Sequence, residues 1–97
     1  MNLIITGHRF ELTHKHRMFI TEKTNSKLQK FESRLHNVTI VVTKEYIYTQ
    51  VECTITSDFG EFFASATNEN LEIAVEHSLA KILTEIKKKH DKNFTYK

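Results

Sequence analysis

Leu71, Ala74, Val75, Leu79, Ile82, Leu83 and Ile86 recur every three or four residues near the C-terminal end of the chain. That spacing puts them on one face of an α-helix, and the pattern predicts a long amphipathic helix over 69–90. A looser stripe of Ile20, Leu28, Phe31 and Leu35, with Phe19 at its edge, predicts an earlier helix. It would open at Thr13, a good N-cap residue, and run to Leu35 without glycine or proline. Thr24 stands where that stripe calls for an apolar side chain.

Elsewhere the hydrophobic period shortens to two, the period of a strand. Residues 2–6, "NLIIT", read as a first strand ending at Gly7. In 37–45, Val38, Ile40 and Val42 alternate with Thr39, Val41 and Thr43. In 46–57, Ile47, Val51, Cys53 and Ile55 share one face, with Tyr46, Tyr48, Gln50, Glu52, Thr54 and Thr56 on the other. "DFG" at 58–60 reads as a hairpin turn, and "EFFASAT" at 61–67 as the last strand. The predicted order is β-α-β-β-β-α, an α+β fold. Both helices would bury their stripes on one face of a four-stranded sheet, and the first strand would join it after a helical crossover. Domains that bind double-stranded RNA have a similar architecture. They place lysines at the start of the final helix, where this chain has Glu69 and Glu72.

The chain has 97 residues, enough for one compact domain, read as 1–92 with a short tail at 93–97. Seven Phe and three Tyr add to the aliphatic core material and exclude a disordered chain. Cys53 is the single cysteine, so neither an internal disulfide nor a zinc pattern of cysteines exists. His14 and His16, two apart, do not share a helical face, and no third ligand stands at metal-site spacing. "DFG" carries no kinase meaning without a glycine-rich loop or an HRD segment. With no secretory or membrane-spanning pattern, the chain reads as soluble and cytoplasmic.

The net charge of +2 is small, so the distribution of charge matters more than the total. At helical spacing Lys81, Lys88 and Lys92 lie with His77 on one flank of the last helix, and Glu69, Glu72 and Glu76 mainly on the other. Lys23, Lys27, Lys30 and Arg34 line one stripe of the first helix. If the helices lie side by side, these flanks could converge on one positive surface that binds RNA or another polyanion. The simpler reading of "KKK" at 87–89 is a solvated helix end whose charge suits the dipole. Tyr46, Tyr48 and Phe63 face outward on the sheet and suit cross-strand packing, base stacking or a protein partner.

The whole chain resembles the ribosome hibernation-promoting factor family (also called ribosome-associated inhibitor A or protein Y) in its short form. The resemblance is carried by "MNLIITG", "ELT" at 11–13, Arg17, "FIT" at 19–21 and Lys23. It continues through "ASAT" at 64–67, "LEIAVE" at 71–76, Lys81 and "KKHDK" at 88–92. It implies the fold derived above and a non-enzymatic protein that needs no cofactor. Such a protein occupies the messenger and transfer RNA channel of the small ribosomal subunit, contacts ribosomal RNA and stops translation in stored ribosomes. Short-tailed members favour ribosome dimers with the help of a separate factor. Neither membrane nor DNA is an expected partner, and off the ribosome the chain would be a monomer.

By position, Lys23, Lys81, Lys88 and Lys92 match basic sites of the family, and Lys89 lies within the same run. Lys27, Lys30 and Arg34 are added from the helical stripe. The chain departs from the family at Ser26 and Thr84, which often are basic, at His90, often lysine, and at Glu72, often aromatic. The alternatives are a binder of structured RNA unrelated to ribosomes, and a protein–protein adaptor using Tyr46, Tyr48 and Phe63.

Overall fold

A computed structural model describes residues 1–95, with side chains through His90. The elements are β1 (Asn2–His8), α1 (His14–Leu28), a 3₁₀ segment (Gln29–Arg34), β2 (Leu35–Glu45), β3 (Tyr48–Ser57), β4 (Gly60–Asn68) and α2 (Leu71–Thr95). The sheet order is β1-β2-β3-β4, with β1 parallel to β2 and the two later pairs antiparallel. This is the predicted β-α-β-β-β-α fold. α1 is the crossover that returns the chain from the end of β1 to the start of β2.

Strand alternation sorts the side chains. Val38, Ile40, Val42, Val51, Cys53 and Ile55 are fully buried beneath the helices. On α2, Ala74, Val75, Leu79, Ile82 and Ile86 meet them, and α1 contributes Ile20 and Leu28. α2 lies over β3 and β4. Ser78, also fully buried on α2, donates its hydroxyl to the Val75 carbonyl at 2.9 Å, so its polarity is satisfied locally.

The helix starts follow from local chemistry. The Thr13 hydroxyl accepts from the His16 N–H at 3.1 Å, and His16 Nδ1 accepts from the Thr13 N–H at 3.1 Å. This is a capping box with histidine in the place usual for Glu or Gln. Asn70 caps α2 by accepting from the Ile73 N–H at 3.1 Å.

Three predicted boundaries move. The first helix stops at Leu28 instead of Leu35, and the chain tightens into the 3₁₀ segment. Leu35 is already strand, paired with Ser57, and the Asp58 N–H donates to the Arg34 carbonyl at 2.9 Å. Sheet pairing therefore overrides the helical period. Phe31 stays buried on the 3₁₀ segment and Leu35 becomes a core residue of β2. At the other end of β2, Glu45 pairs with Tyr48, leaving Tyr46 and Ile47 as a two-residue turn. Ile47, assigned above to the inner face, is 60% exposed there. The third shift is in α2, which begins at Leu71 and runs to Thr95.

Two stability predictions arise here. Tyr46 sits at φ 56 with its side chain 96% exposed, so it bears left-handed backbone strain with little packing in return. Tyr46→Gly relieves about 1–2 kcal/mol of strain against a chain-entropy cost of about 0.5–1 kcal/mol. The expected result is a small rise in the urea midpoint, and a fall would show that the tyrosine ring stabilises the turn. Thr24 is fully buried and its Oγ1 has no hydrogen-bond partner. Thr24→Val keeps the shape and removes the stranded hydroxyl, so it is expected to stabilise by about 1 kcal/mol in the same titration. A loss of stability would mean that the hydroxyl is satisfied in solution.

Candidate nucleic-acid interface

β1, β2 and β4 all run in one direction, and the two helices run back against them. The 3₁₀ segment, the β3–β4 turn and the C-terminal part of α2 therefore meet at one end of the sheet. Three rings tie them together. The Phe31 and Phe59 centroids lie 6.4 Å apart at 88°, and His90 packs edge-on against Phe31 at 5.2 Å and Phe59 at 5.7 Å. These are the edge-to-face geometries that the ring quadrupoles favour. The "DFG" turn predicted from sequence is there, but its phenylalanine is a buried anchor, only 7% exposed. Ser57 shapes this turn by accepting from the Phe59 N–H at 3.0 Å and donating to the Gly60 carbonyl at 2.9 Å.

Cations surround this aromatic knot. Lys30 Nζ lies 5.9 Å from the Phe31 centroid, and the Arg34 guanidinium carbon 6.0 Å from that of Phe59. Lys87, Lys88 and Lys89 are exposed on the adjoining turns of α2, and Lys27 is exposed in the last turn of α1. Asp58 is the counter-charge within the knot. Its Oδ2 lies 3.9 Å from Arg34 Nη1 and its Oδ1 2.7 Å from His36 Nε2. Lys88 has only a loose, solvent-exposed pairing with Glu85 at 3.9 Å, of a kind that contributes little.

Of the residues singled out in the sequence, Lys30, Arg34, Lys88 and Lys89 thus lie at one end of the molecule, with Lys27 in the last turn of the helix that leads there. The side chain of Lys92 lies outside the described residues. Lys23 and Lys81 are placed differently. Lys23 Nζ is 3.4 Å from Glu76 Oε2, so α1 lies against the acidic flank of α2. Lys81 points the other way and donates to the Ser65 carbonyl on the outer edge of β4 at 2.8 Å. The expected convergence of the two basic flanks along the helices is corrected accordingly: the cationic segments meet end to end, through the aromatic knot.

The departures at Thr84 and His90 have local partners. The Thr84 hydroxyl donates to the Ala80 carbonyl at 3.0 Å, and His90 is the third ring of the knot. Sequence reasoning passed over His36, Asp58 and Phe59, whose roles depend on the β3–β4 turn meeting the start of β2. It also passed over a second cationic group, "HKHR" at 14–17, at the opposite end of α1. The signal was available, since the first turn of α1 holds no acidic residue. There Arg17 Nη1 donates to the Ile5 carbonyl at 3.0 Å.

Cys53 is no nucleophile. Burial pushes its thiol up to about 12, so it stays protonated and apolar at neutral pH. Among the described residues no three His, Cys, Asp or Glu side chains are grouped to hold a metal ion. Nor is any helix among them long and apolar enough to cross a membrane.

Residues 3–93 match the family described as Sigma 54 modulation protein / S30EA ribosomal protein. The chain belongs to this family. Among curated relatives, the ribosome hibernation promoting factor of Klebsiella oxytoca is 34% identical over 92 residues, covering 95% of this chain and 96% of that protein. The protein of the same name from Escherichia coli K12 is 30% identical with the same coverage. Among solved structures, a ribosomal subunit interface protein from Coxiella burnetii superposes with a TM-score of 0.83 at 17% identity, covering 91% of this chain and 96% of that one. The Thermus thermophilus Protein Y N-terminal domain gives 0.80 at 16% identity, covering 91% and 98%. These two structures support the fold. Family membership rests on the sequence match.

Proposed function

We propose that the chain binds the small ribosomal subunit, occupies its messenger and transfer RNA channel, and thereby holds idle ribosomes out of translation. The observation that carries the reading is that Lys30, Arg34, Lys88 and Lys89 lie at one end of the molecule, on segments joined there by the rings of Phe31, Phe59 and His90. Exposed ammonium and guanidinium groups on fixed elements match a ribosomal RNA backbone, whose phosphates supply affinity through charge and counterion release. Lys27 extends this surface along α1. Lys23, Lys81 and Lys92 join it in the bound state, Lys23 by exchanging Glu76 for phosphate and Lys81 by leaving the Ser65 carbonyl. Family membership and the relatives' names support the ribosomal target.

Mechanistically this is steric exclusion with no chemical step and no cofactor. The proposed site of action is the cytoplasm, and the chain is monomeric off the ribosome. A separate factor would complete ribosome dimers. The experiment is sedimentation of the purified chain with small ribosomal subunits at low and high salt, with a free RNA hairpin as competitor. With about five phosphates neutralised, and taking the slope of duplex DNA, log affinity falls by about 4.5 per tenfold rise in salt. The expected result is co-sedimentation that salt weakens and the hairpin does not displace. Displacement by the hairpin would instead indicate a general binder of structured RNA, and a flat salt response would rule out phosphate contacts.

A further inference from the structure

The sheet has an open face, and its charge is the reverse of the helical layer. Of 14 Lys and Arg residues, the four strands hold only Lys44. Lys44 pairs with Thr49, which is buried on the helical side, so its side chain leaves the strand on that side. The outward side chains of β1–β4 thus include no Lys or Arg, and the other strand groups able to carry positive charge are the imidazoles of His8 and His36. Three carboxylates do point outward, Glu52 and Glu61 within the face and Glu45 at its edge. None of them makes an ion pair or a side-chain hydrogen bond among the described residues.

The register sets what surrounds them. One row across the sheet reads Ile4, Thr39, Thr54, Phe63, and the next reads Thr6, Val41, Glu52, Ser65. Ile4 is 47% and Phe63 59% exposed, so this row offers apolar surface to a partner. Glu52 is half-buried in the middle of this β-branched, partly apolar surface. Any partner that covers the face removes water from that carboxylate, and an unpaired buried charge is costly. The partner must therefore bring a cation to Glu52. Nucleic acid is disfavoured, because its phosphates would approach three unneutralised carboxylates. Simple extension of the sheet at β4 is obstructed by Lys81, which already occupies the Ser65 carbonyl at that edge.

We propose that this open face is a docking surface for a basic protein segment, one whose lysine or arginine side chains meet Glu52 and Glu61 while its apolar side chains pack on Ile4, Val41 and Phe63. The chain then has two opposed surfaces, with cationic groups for RNA at one end of the helical layer and a carboxylate-bearing face for protein beneath. Charge complementarity of this kind sets partner choice as well as encounter rate.

The test is titration of the ¹⁵N-labelled full chain with a short peptide alternating lysine and valine, at low salt, followed by amide chemical shifts. A glutamate–valine peptide and an oligouridine serve as comparison probes. The expected result is saturable shifts confined to Thr39, Val41, Thr54, Phe63 and their neighbours, from the lysine peptide alone. Glu52→Gln with Glu61→Gln, which keeps side-chain shape and an unchanged spectrum elsewhere, should weaken that binding about tenfold. No saturable shift, shifts confined to the helices, unchanged affinity in the double variant, or oligouridine shifting this face would each overturn the proposal. No ribosome enters the experiment, so its outcome is separate from that of the ribosomal reading.

Discussion

Reversing Lys30 and Lys88 to Glu together is expected to weaken binding to small ribosomal subunits about 10³-fold. Each reversal changes the local charge by two units beside a phosphate, and a unit pair at contact distance in water is worth about 1 kcal/mol, giving about 4 kcal/mol in all. The two residues come from different segments, Lys30 from the 3₁₀ segment and Lys88 from α2. Both are exposed. The unfolding midpoint should stay within about 0.5 kcal/mol of the parent, as is usual for surface changes. Co-sedimentation across a range of salt reads the effect, and the salt slope should fall with the two lost contacts by about 1.8. Undiminished binding by a folded double variant would move the interface elsewhere, with the "HKHR" end of α1 the next surface to reverse.

Phe59→Ala is expected to be the most damaging single change to the fold at this end, costing about 3 kcal/mol. Domains of this size hold about 5–15 kcal/mol in total, so the thermal midpoint should drop by about 12–24 °C. The phenylalanine is 7% exposed and packs edge-on with Phe31 and His90. Removing it leaves a cavity where the turn, the 3₁₀ segment and α2 meet. A double-mutant cycle with Phe31→Ala should give a coupling of about 1 kcal/mol, the value of an aromatic pair beyond its buried area. Below its midpoint the variant should also bind subunits more weakly, because Lys30 and Lys88 lose their fixed relation. The lysine reversal removes binding and spares stability, whereas Phe59→Ala lowers both. A Phe59→Ala midpoint within about 2 °C of the parent would mean that the turn is not anchored by its ring.

The element order was legible because two periodicities differ so clearly. The α2 stripe from Leu71 to Ile86 can bury only as a helix, and Val38, Ile40 and Val42 only as a strand. Thr13 marked the first helix start through its hydroxyl, a local property. Even the sheet faces followed from parity, so Phe63 was correctly placed outward and Cys53 inward. The two boundaries of β2 that moved depend on partners distant in sequence, whereas the start of α2 is set locally by the Asn70 cap. Leu35 fits the first helix's spacing, yet it becomes strand because Ser57 lies opposite. Ile47 fits a strand's alternation, yet the pairing of Glu45 with Tyr48 makes it a turn.

The basic residues divide in the same way. Sequence by itself determined that lysine and arginine are nearly absent from the strands and concentrated on the helical segments, since that needs only residue identity and element type. Which cations stand together was decided by tertiary structure. Lys23 and Lys81 share helical flanks with the others, but the packing of α1 on the acidic side of α2 turns one to Glu76 and the other to the β4 edge. Lys30, Arg34, Lys88 and Lys89 come to one end of the molecule because Phe59, more than twenty residues from each of them in sequence, packs with Phe31 and His90. Helical spacing fixes the direction of a side chain around its own axis, and only the packing of one element on another fixes what lies in that direction.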